Sequence, residues 1–489
     1  MTQNRLFLWL LSLTTLIVTL WLKPAAAQTG ICSAQLPDKI SAVTNRPEFR
    51  RSRWGILVQT LGDPCGICEA ARETLYAQDA DRFFIPASNL KLLTTAAALE
   101  VLGDRYTIRT SVYQVHSDQV ILRVVGRGDP SLTDIQLNQL AKQIRDRNIT
   151  QIDQLIADDS YFQGDATNPT WEWEDVQSGY GAPVNSLILN ENLIGLTFFP
   201  QNLGQPLRIV WDDPAEATRW QISNRSKTVA AAAEESLQVG RDLERSQLNV
   251  RGQLRVGSRP ETAAIAITQP SRYFLQRFKQ ALRQWNIQVN QSFVTTERTG
   301  AQGTEISAVE SESLPGLIAK VNQESNNLYA ESLLRTLGIT RSPQASSSLE
   351  AGVEAVKKAL TQLGVDVAGY NLRDGSGVSR HNWATPESLV QTLQGMGASP
   401  HAVPYRNSLA VAGRVGSLQN RFLNSPVAGK LQGKTGFLSG STALSGYLEP
   451  PDYSPLVFSI LINQFDRPVE EIQEAIDEIV ELLAQLQKC

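Results

Sequence analysis

The chain has 489 residues, more than one hydrophobic core usually covers, so two or three domains are expected. Its 42% hydrophobic and 19% charged residues give the composition of a folded soluble protein. A formal net charge of −4 supplies neither the basic field that nucleic acid requires nor a polybasic patch for a membrane surface.

Arg5 is the only charged side chain before an apolar run from Leu6 to Leu22, and Ala25-Ala26-Ala27 follows. This pattern fits a signal peptide, residues 1–27, cut after Ala27. An uncleaved anchor is the alternative, because the run exceeds the roughly 7–15 residues of a usual signal core. Either way the body is expected outside the cytoplasm, secreted or periplasmic in the cell envelope, and no later segment reads as a membrane span. Four cysteines, Cys32, Cys65, Cys68 and Cys489, favour disulfides in such a compartment. Cys65-Gly-Ile-Cys68 is open to reading as a redox motif or half a zinc site. No second pair has metal spacing and no histidine is near, so a short-range bridge is preferred. That leaves Cys32 for Cys489, although spacing alone does not fix connectivity. Such a bridge would bring the two ends of the chain together.

Arg53 to Leu61 reads as a strand, with Glu73 to Gln78 returning after a turn. Ser88 to Leu102 reads as a helix that Gly103 stops, with leucine and alanine on nearly every side. Lys91 stands out there, since a charge in a buried helix is costly without partners. From about Tyr106 to Thr299, short alternating segments such as Tyr113–Val115 and Val120–Val125 suggest β-rich insertions. Helical patterns return at Leu314–Leu337, Ser348–Leu363 and Pro386–Met396, and strands at Ala443–Leu448 and Leu456–Asn463. The last element is an amphipathic helix, Val469 to Leu486, with Ile472, Ile476, Ile479, Leu483 and Leu486 on one face.

Histidine is scarce: His116, His381 and His401. With neither G-x-S-x-G nor H-E-x-x-H present, a Ser-His-Asp triad and a zinc hydrolase are disfavoured. Ser88-Asn89-Leu90-Lys91 offers another base. Residues three apart share a helix face, so hydroxyl and amine can meet. Burial or a second cation lowers the amine's pKa until it can accept the serine proton. Ser325-Asn326-Asn327 falls in a polar notch at or between helices, where a hydroxyl can relay protons and an amide can hold a peptide. Lys434-Thr435-Gly436 lies on an expected strand, with a lysine to polarise the site, a hydroxyl for a carboxylate and a glycine that admits backbone. Singly these are better explained by a snorkelling lysine, a helix cap and a strand end. In the order S-x-x-K, S-x-N, K-T-G after an export signal, they form one constellation.

With these motifs the sequence resembles the penicillin-binding protein and serine β-lactamase superfamily. It is most similar to the class C low-molecular-mass penicillin-binding proteins, the D-alanyl-D-alanine carboxypeptidase/endopeptidases. The resemblance runs through IPASNLKLLTTAAAL, GRGDPSL, ESNNLYAESLLRTLG, DGSGVSR and GKTGFLSGSTALSGY. It implies an α/β penicillin-binding/β-lactamase-like transpeptidase domain, an antiparallel sheet with helices on both sides, carrying two inserted β-rich accessory domains. The implied division is 28–105 with 304–489 for the catalytic domain, 106–188 with 262–303 for the first insertion and 189–261 for the second.

Position by position, the resemblance makes Ser88 the nucleophile, Lys91 its base and Ser325 a proton relay. Asn327 would hold the peptide, Lys434 with Thr435 would receive the terminal carboxylate, and the Ser88 and Phe437 amides would form the oxyanion hole. Peptidoglycan peptides and β-lactam antibiotics are the implied partners, with no metal or organic cofactor. Relatives have a second threonine after K-T-G where this chain has Phe437, which leaves Ser439 or Ser441 to supply the missing hydroxyl. Asp374-Gly375-Ser376-Gly377 reads as a tight turn near the site without assigned chemistry. The alternatives are a catalytically weakened peptidoglycan-binding protein, to which Phe437 points, and a serine β-lactamase, for which no deacylating glutamate is evident.

Overall fold

Every residue of the strand Leu456–Asn463 is buried, and its alternation sorts the side chains into two cores. Leu456, Phe458, Ile460 and Ile462 pack with the helices Leu36–Thr44 and Val469–Ala484. Val457 and Leu461 point the other way, toward Lys91–Leu102, Leu314–Gln323, Asn327–Arg341, Ser348–Gln362 and Pro386–Ala398. A strand apolar on both faces therefore demands helices on both faces. The computed structural model describes residues 30–62, 72–242, 244–298 and 303–489. The leader with its cleavage site and the Cys65–Cys68 pairing lie outside these residues.

The strand belongs to a six-stranded sheet ordered Ala410–Val411, Leu431–Leu438, Ser441–Leu448, Leu456–Asn463, Arg53–Thr60 and Thr74–Gln78. All its pairs are antiparallel. Strands from both ends of the chain are thus neighbours. Ile31–Cys32 also pairs in parallel with Leu486–Gln487, and a Cys32–Cys489 disulfide closes the ends with Cα atoms 5.7 Å apart. The last helix buries Ile472, Ile476, Ile479 and Leu483, as its periodicity requires. It stops at Ala484, so Leu486 reaches the same core from the short strand instead.

Lys91–Leu102 has no polar face. Leu92, Leu93, Ala96, Ala97, Ala98 and Leu99 are all buried, each leucine contributing about 1.5–3 kcal/mol. The expected helix Leu314–Leu337 is two helices, broken at residues 324–326. Ser325 turns the chain at φ +60°, and the Asn326 side chain caps the second helix by accepting from the Tyr329 amide at 3.1 Å.

Between the two halves, a five-stranded mixed sheet runs Gln288–Thr295, Gln151–Asp158, Ile121–Val125, Arg109–Val115 and Thr304–Glu310. Two helices that the strand-dominated sequence reading did not foresee, Asp134–Asp146 and Pro270–Gln284, share its core. Leu137, Leu140, Ala141 and Ile144 give the first an apolar face, and Thr133 with Gln136 forms its capping box. A three-stranded antiparallel sheet and a four-stranded sheet complete the insertion. Among the described residues no helix is long and apolar enough to cross a membrane.

Candidate active site

The helix that carries Lys91 begins with a tighter turn, Ala87–Leu90, which places Ser88 at its mouth. Ala87 is held at φ +47°, a conformation that needs outside support in a residue other than glycine. Asn89 supplies it from the sheet, donating to Ser445 Oγ at 2.7 Å, while Ser445 donates to Ser459 Oγ at 2.8 Å. Gly377 supports it from the other side. At φ +85°, a Cβ there would lie 1.9 Å from the Ala87 carbonyl oxygen, so only glycine fits.

One turn further along, Lys91 is completely buried. Its Nζ lies 2.9 Å from Ser88 Oγ, 2.6 Å from Asn327 Oδ1 and 2.5 Å from the Ser376 carbonyl oxygen. Burial lowers its pKa to about 7, against the opposing pull of the Asp374 and Glu331 carboxylates. At neutral pH a substantial share of the amine is therefore unprotonated and in contact with the hydroxyl.

Lys434, also fully buried, stands on Leu431–Leu438 with Nζ 2.9 Å from Ser325 Oγ and 2.8 Å from the Thr435 carbonyl oxygen. Burial, reinforced by the charge of Lys91, holds its pKa well below the usual lysine range. The two lysines are thus electrostatically linked across one cleft. A Cβ on Gly436 would come within 2.8 Å of the Pro86 carbonyl oxygen and 3.2 Å of the Asn89 amide nitrogen, so this strand runs directly beside the Ser88 turn. The structure brings Ser88, Lys91, Ser325, Asn327, Lys434, Thr435 and Gly436 together. Phe437 follows on the same strand and is 54% exposed.

Ser441 is not the spare hydroxyl that the sequence allowed. It is buried, donating to the Ile85 carbonyl at 2.7 Å and accepting from Asn463 Nδ2 at 3.0 Å. Ser439 offers its carbonyl oxygen to Arg380 at 3.0 Å. A hydroxyl that does touch Thr435 is that of Ser417, 2.7 Å away in the turn Gly416–Leu418. No sequence signal marks it, because it reaches the site from a separate turn.

The segment read as a plain turn also touches the site, since Ser376 supplies a carbonyl to Lys91. Buried Asp374 accepts from the Gly377 amide at 2.8 Å, the Ser379 amide at 2.7 Å, Asn382 Nδ2 at 2.7 Å and Trp171 Nε1 at 2.9 Å. Asn327 donates its Nδ2 to the Tyr180 carbonyl at 2.9 Å, so the insertion forms one wall of the site. A cavity of about 310 Å3 opens there, lined by Tyr180, Glu191, Leu193 and Ser325 to Asn327. A larger one, about 810 Å3, lies beyond Tyr180 and includes neither Ser88 nor a lysine. Among the described residues no three histidine, cysteine or acidic side chains converge as a metal site.

The arrangement can pass a proton from a hydroxyl to a buried amine, with a second hydroxyl–amine pair opposite, which is the equipment of serine acyl transfer. The sequence matches the D-Ala-D-Ala carboxypeptidase 3 (S13) family over residues 36–486. D-alanyl-D-alanine carboxypeptidase of Actinomadura sp. (strain R39) is 30% identical over 474 residues, covering 93% of this chain and 86% of that one. The crystal structure of penicillin-binding protein 4 from Haemophilus influenzae shares the fold, with a TM-score of 0.78 at 23% identity over 91% of this chain and 98% of that one. Its complex with a novel β-lactam gives a TM-score of 0.74 at 23% identity over 92% of this chain and 100% of that one. The chain belongs to the D-Ala-D-Ala carboxypeptidase 3 (S13) family and is a serine-type D-Ala-D-Ala carboxypeptidase.

Proposed function

We propose that Ser88 and Lys91 cleave the D-alanyl-D-alanine bond of peptidoglycan stem peptides through an acyl-enzyme, and that β-lactams acylate the same serine. The observation that carries this reading is the buried Lys91 amine, 2.9 Å from Ser88 Oγ, with its pKa lowered to about 7. Unprotonated Lys91 takes the Ser88 proton as Oγ attacks the carbonyl between the two D-alanines. The Ser88 and Phe437 amides receive the developing oxyanion, and the helix start beside Ser88 favours that charge. Ser325, beside Lys434, relays the proton held by Lys91 to the leaving amine, and water then attacks the acyl carbonyl, releasing the shortened peptide and restoring the Ser88 hydroxyl.

Asn327 holds the peptide, while Lys434 and Thr435 receive its terminal carboxylate. Gly436 serves by letting backbone approach, as its closeness to the Ser88 turn supports. Cleavage of cross-bridges is the second half of the activity. The exposed Phe437, in place of a hydroxyl for a free carboxylate, favours it.

The division into 28–105 with 304–489, 106–188 with 262–303, and 189–261 belongs to the same reading. The six-stranded sheet drawn from both ends of the chain and the separate core of the insertion support it. So does export to the cell envelope with cleavage after Ala27, for which the apolar leader and the Cys32–Cys489 bridge are the support. In the test, purified chain is incubated with fluorescent penicillin and with muropeptides ending in D-alanyl-D-alanine. Covalent labelling and D-alanine release are expected from the wild type, and neither from Ser88→Ala. A wild type that neither labels nor releases D-alanine would sink the proposal.

A further inference from the structure

A neutral lysine amine has two hydrogens and one lone pair, so what its hydrogens meet decides where the lone pair points. Three groups surround Lys91 Nζ: Asn327 Oδ1 at 2.6 Å, the Ser376 carbonyl oxygen at 2.5 Å and Ser88 Oγ at 2.9 Å. The first two are pure acceptors and claim the two hydrogens. The lone pair is then left facing the Ser88 hydroxyl, which is the direction that proton abstraction needs. Asn327 is fixed by its place at the start of the helix Asn327–Arg341. The Ser376 carbonyl belongs to a loop, and something else must hold it.

That holder is Glu331. It stands four residues after Asn327, on the same helix face, and is completely buried. Its Oε1 accepts from the Gly375 amide at 2.8 Å and from the Ser376 amide at 2.9 Å. Its Oε2 accepts from Arg335 Nη1 at 3.1 Å, another turn along. Thr94, on the helix of Lys91, donates to the Gly375 carbonyl at 2.8 Å and fixes the other face of the loop. A single helix therefore presents both acceptors to the amine, one by its own side chain and one through a carboxylate and a peptide.

We propose that Glu331 is a positioning residue for acylation: by gripping the Gly375 and Ser376 amides it keeps the Ser376 carbonyl on Lys91 and so aims the amine's lone pair at Ser88. This rests on the reading of Ser88 and Lys91 as nucleophile and base. Among the described residues no other side chain accepts from these two amides, and Asp374 is engaged with Gly377, Ser379, Asn382 and Trp171. The charged groups that face Lys91 are Glu331 and Asp374 on the loop side and Lys434 across the cleft, with Arg335 behind Glu331. Glu331 thus acts on the amine twice, through the peptide by geometry and through space by charge.

Two variants of the full chain separate this from a purely structural role. Glu331→Gln keeps an oxygen for the two amides but removes the charge. Losing a nearby negative charge makes the ammonium less favourable, so the acidic limb of the acylation rate against pH should move to lower pH. Glu331→Leu with Arg335→Met removes the grip while replacing the buried ion pair with apolar side chains, an exchange that stability often tolerates. Its rate constant for acylation by saturating fluorescent penicillin should fall about 10²-fold, the scale expected for a displaced catalytic group, with the dissociation constant of the non-covalent complex little changed. Rate constants are read from the time course of the molecules that label, so a reduced folded fraction does not affect them. If the double variant acylates within about twofold of wild type, Glu331 is only a packing residue, and if Glu331→Gln leaves the acidic limb unmoved, its action on the amine by charge is overturned. A wild type that fails to acylate would instead overturn the assignment of Ser88 and Lys91.

Discussion

Two serine–lysine pairs occupy this cleft at the same spacing, Ser88 with Lys91 and Ser325 with Lys434, each 2.9 Å from oxygen to nitrogen. Both lysines are wholly buried, yet their surroundings differ. Lys91 has an amide oxygen, a peptide carbonyl and two buried carboxylates, Asp374 and Glu331, that offset part of its desolvation. Lys434 has a hydroxyl, its neighbour's carbonyl and the repelling like charge of Lys91. Burial alone does not make a base. Counter-charge brings one amine to titrate near neutrality, while the other keeps an unmet demand for an anion. The terminal carboxylate of a peptide would meet that demand and restore the charge on Lys434.

The sharpest way to break this comparison is to remove the two amines separately. Lys91→Met keeps the length and the apolar contacts and deletes the base, so penicillin acylation should fall by about 10²–10⁴-fold. In the wild type the same rate should rise with pH through about 7, since deprotonation creates the acceptor for the serine proton. A rate flat on both sides of that value would deny Lys91 the role. Lys434→Met should act on carboxylate recognition. For a peptide ending in free D-alanine, kcat/KM should fall about 10²-fold, and the preference over the matching C-terminal amide should vanish. If Lys434→Met slowed free acid and amide equally, the two lysines would not differ as argued.

How far the sequence revealed these two regions follows from how local each one is. The Ser88–Lys91 pair lies within one helical turn, so its spacing allows the contact without any tertiary information. Lys434, Ser325 and Asn327 come from distant segments, and motif order rather than geometry joined them. Glu331 could have been noticed, standing four residues after Asn327 in a helix otherwise rich in leucine, but its partners are backbone amides that leave no trace in a sequence. The break at 324–326 was half visible as a polar notch. The helices Asp134–Asp146 and Pro270–Gln284 were hidden by the short alternating segments and turn residues around them, although Phe274, Phe278, Ala281 and Leu282 do fall on one face. Strands of the central sheet were legible because both their faces are apolar, whereas the pairing of its strands depends on tertiary contacts.

The smallest expected effect concerns the hydroxyl that the motif lacks. Phe437 stands where the family resemblance implies a second threonine, and its exposed side chain has no hydroxyl to donate to a carboxylate. Thr435 Oγ1 donates to Ser417 Oγ at 2.7 Å, and when Thr435 turns its proton to a carboxylate Ser417 can donate back to the same oxygen and keep that side chain beside Lys434. Removing the Ser417 hydroxyl frees the Thr435 side chain to rotate away. Ser417→Ala should therefore lower kcat/KM for a free-carboxylate peptide about fivefold, the equivalent of one ordinary hydrogen bond. Phe437→Thr added to that variant should recover part of the loss by supplying a hydroxyl on the same strand. If Ser417→Ala changes nothing, or Phe437→Thr deepens the loss, the carboxylate is held by Lys434 and Thr435 without help from the neighbouring turn.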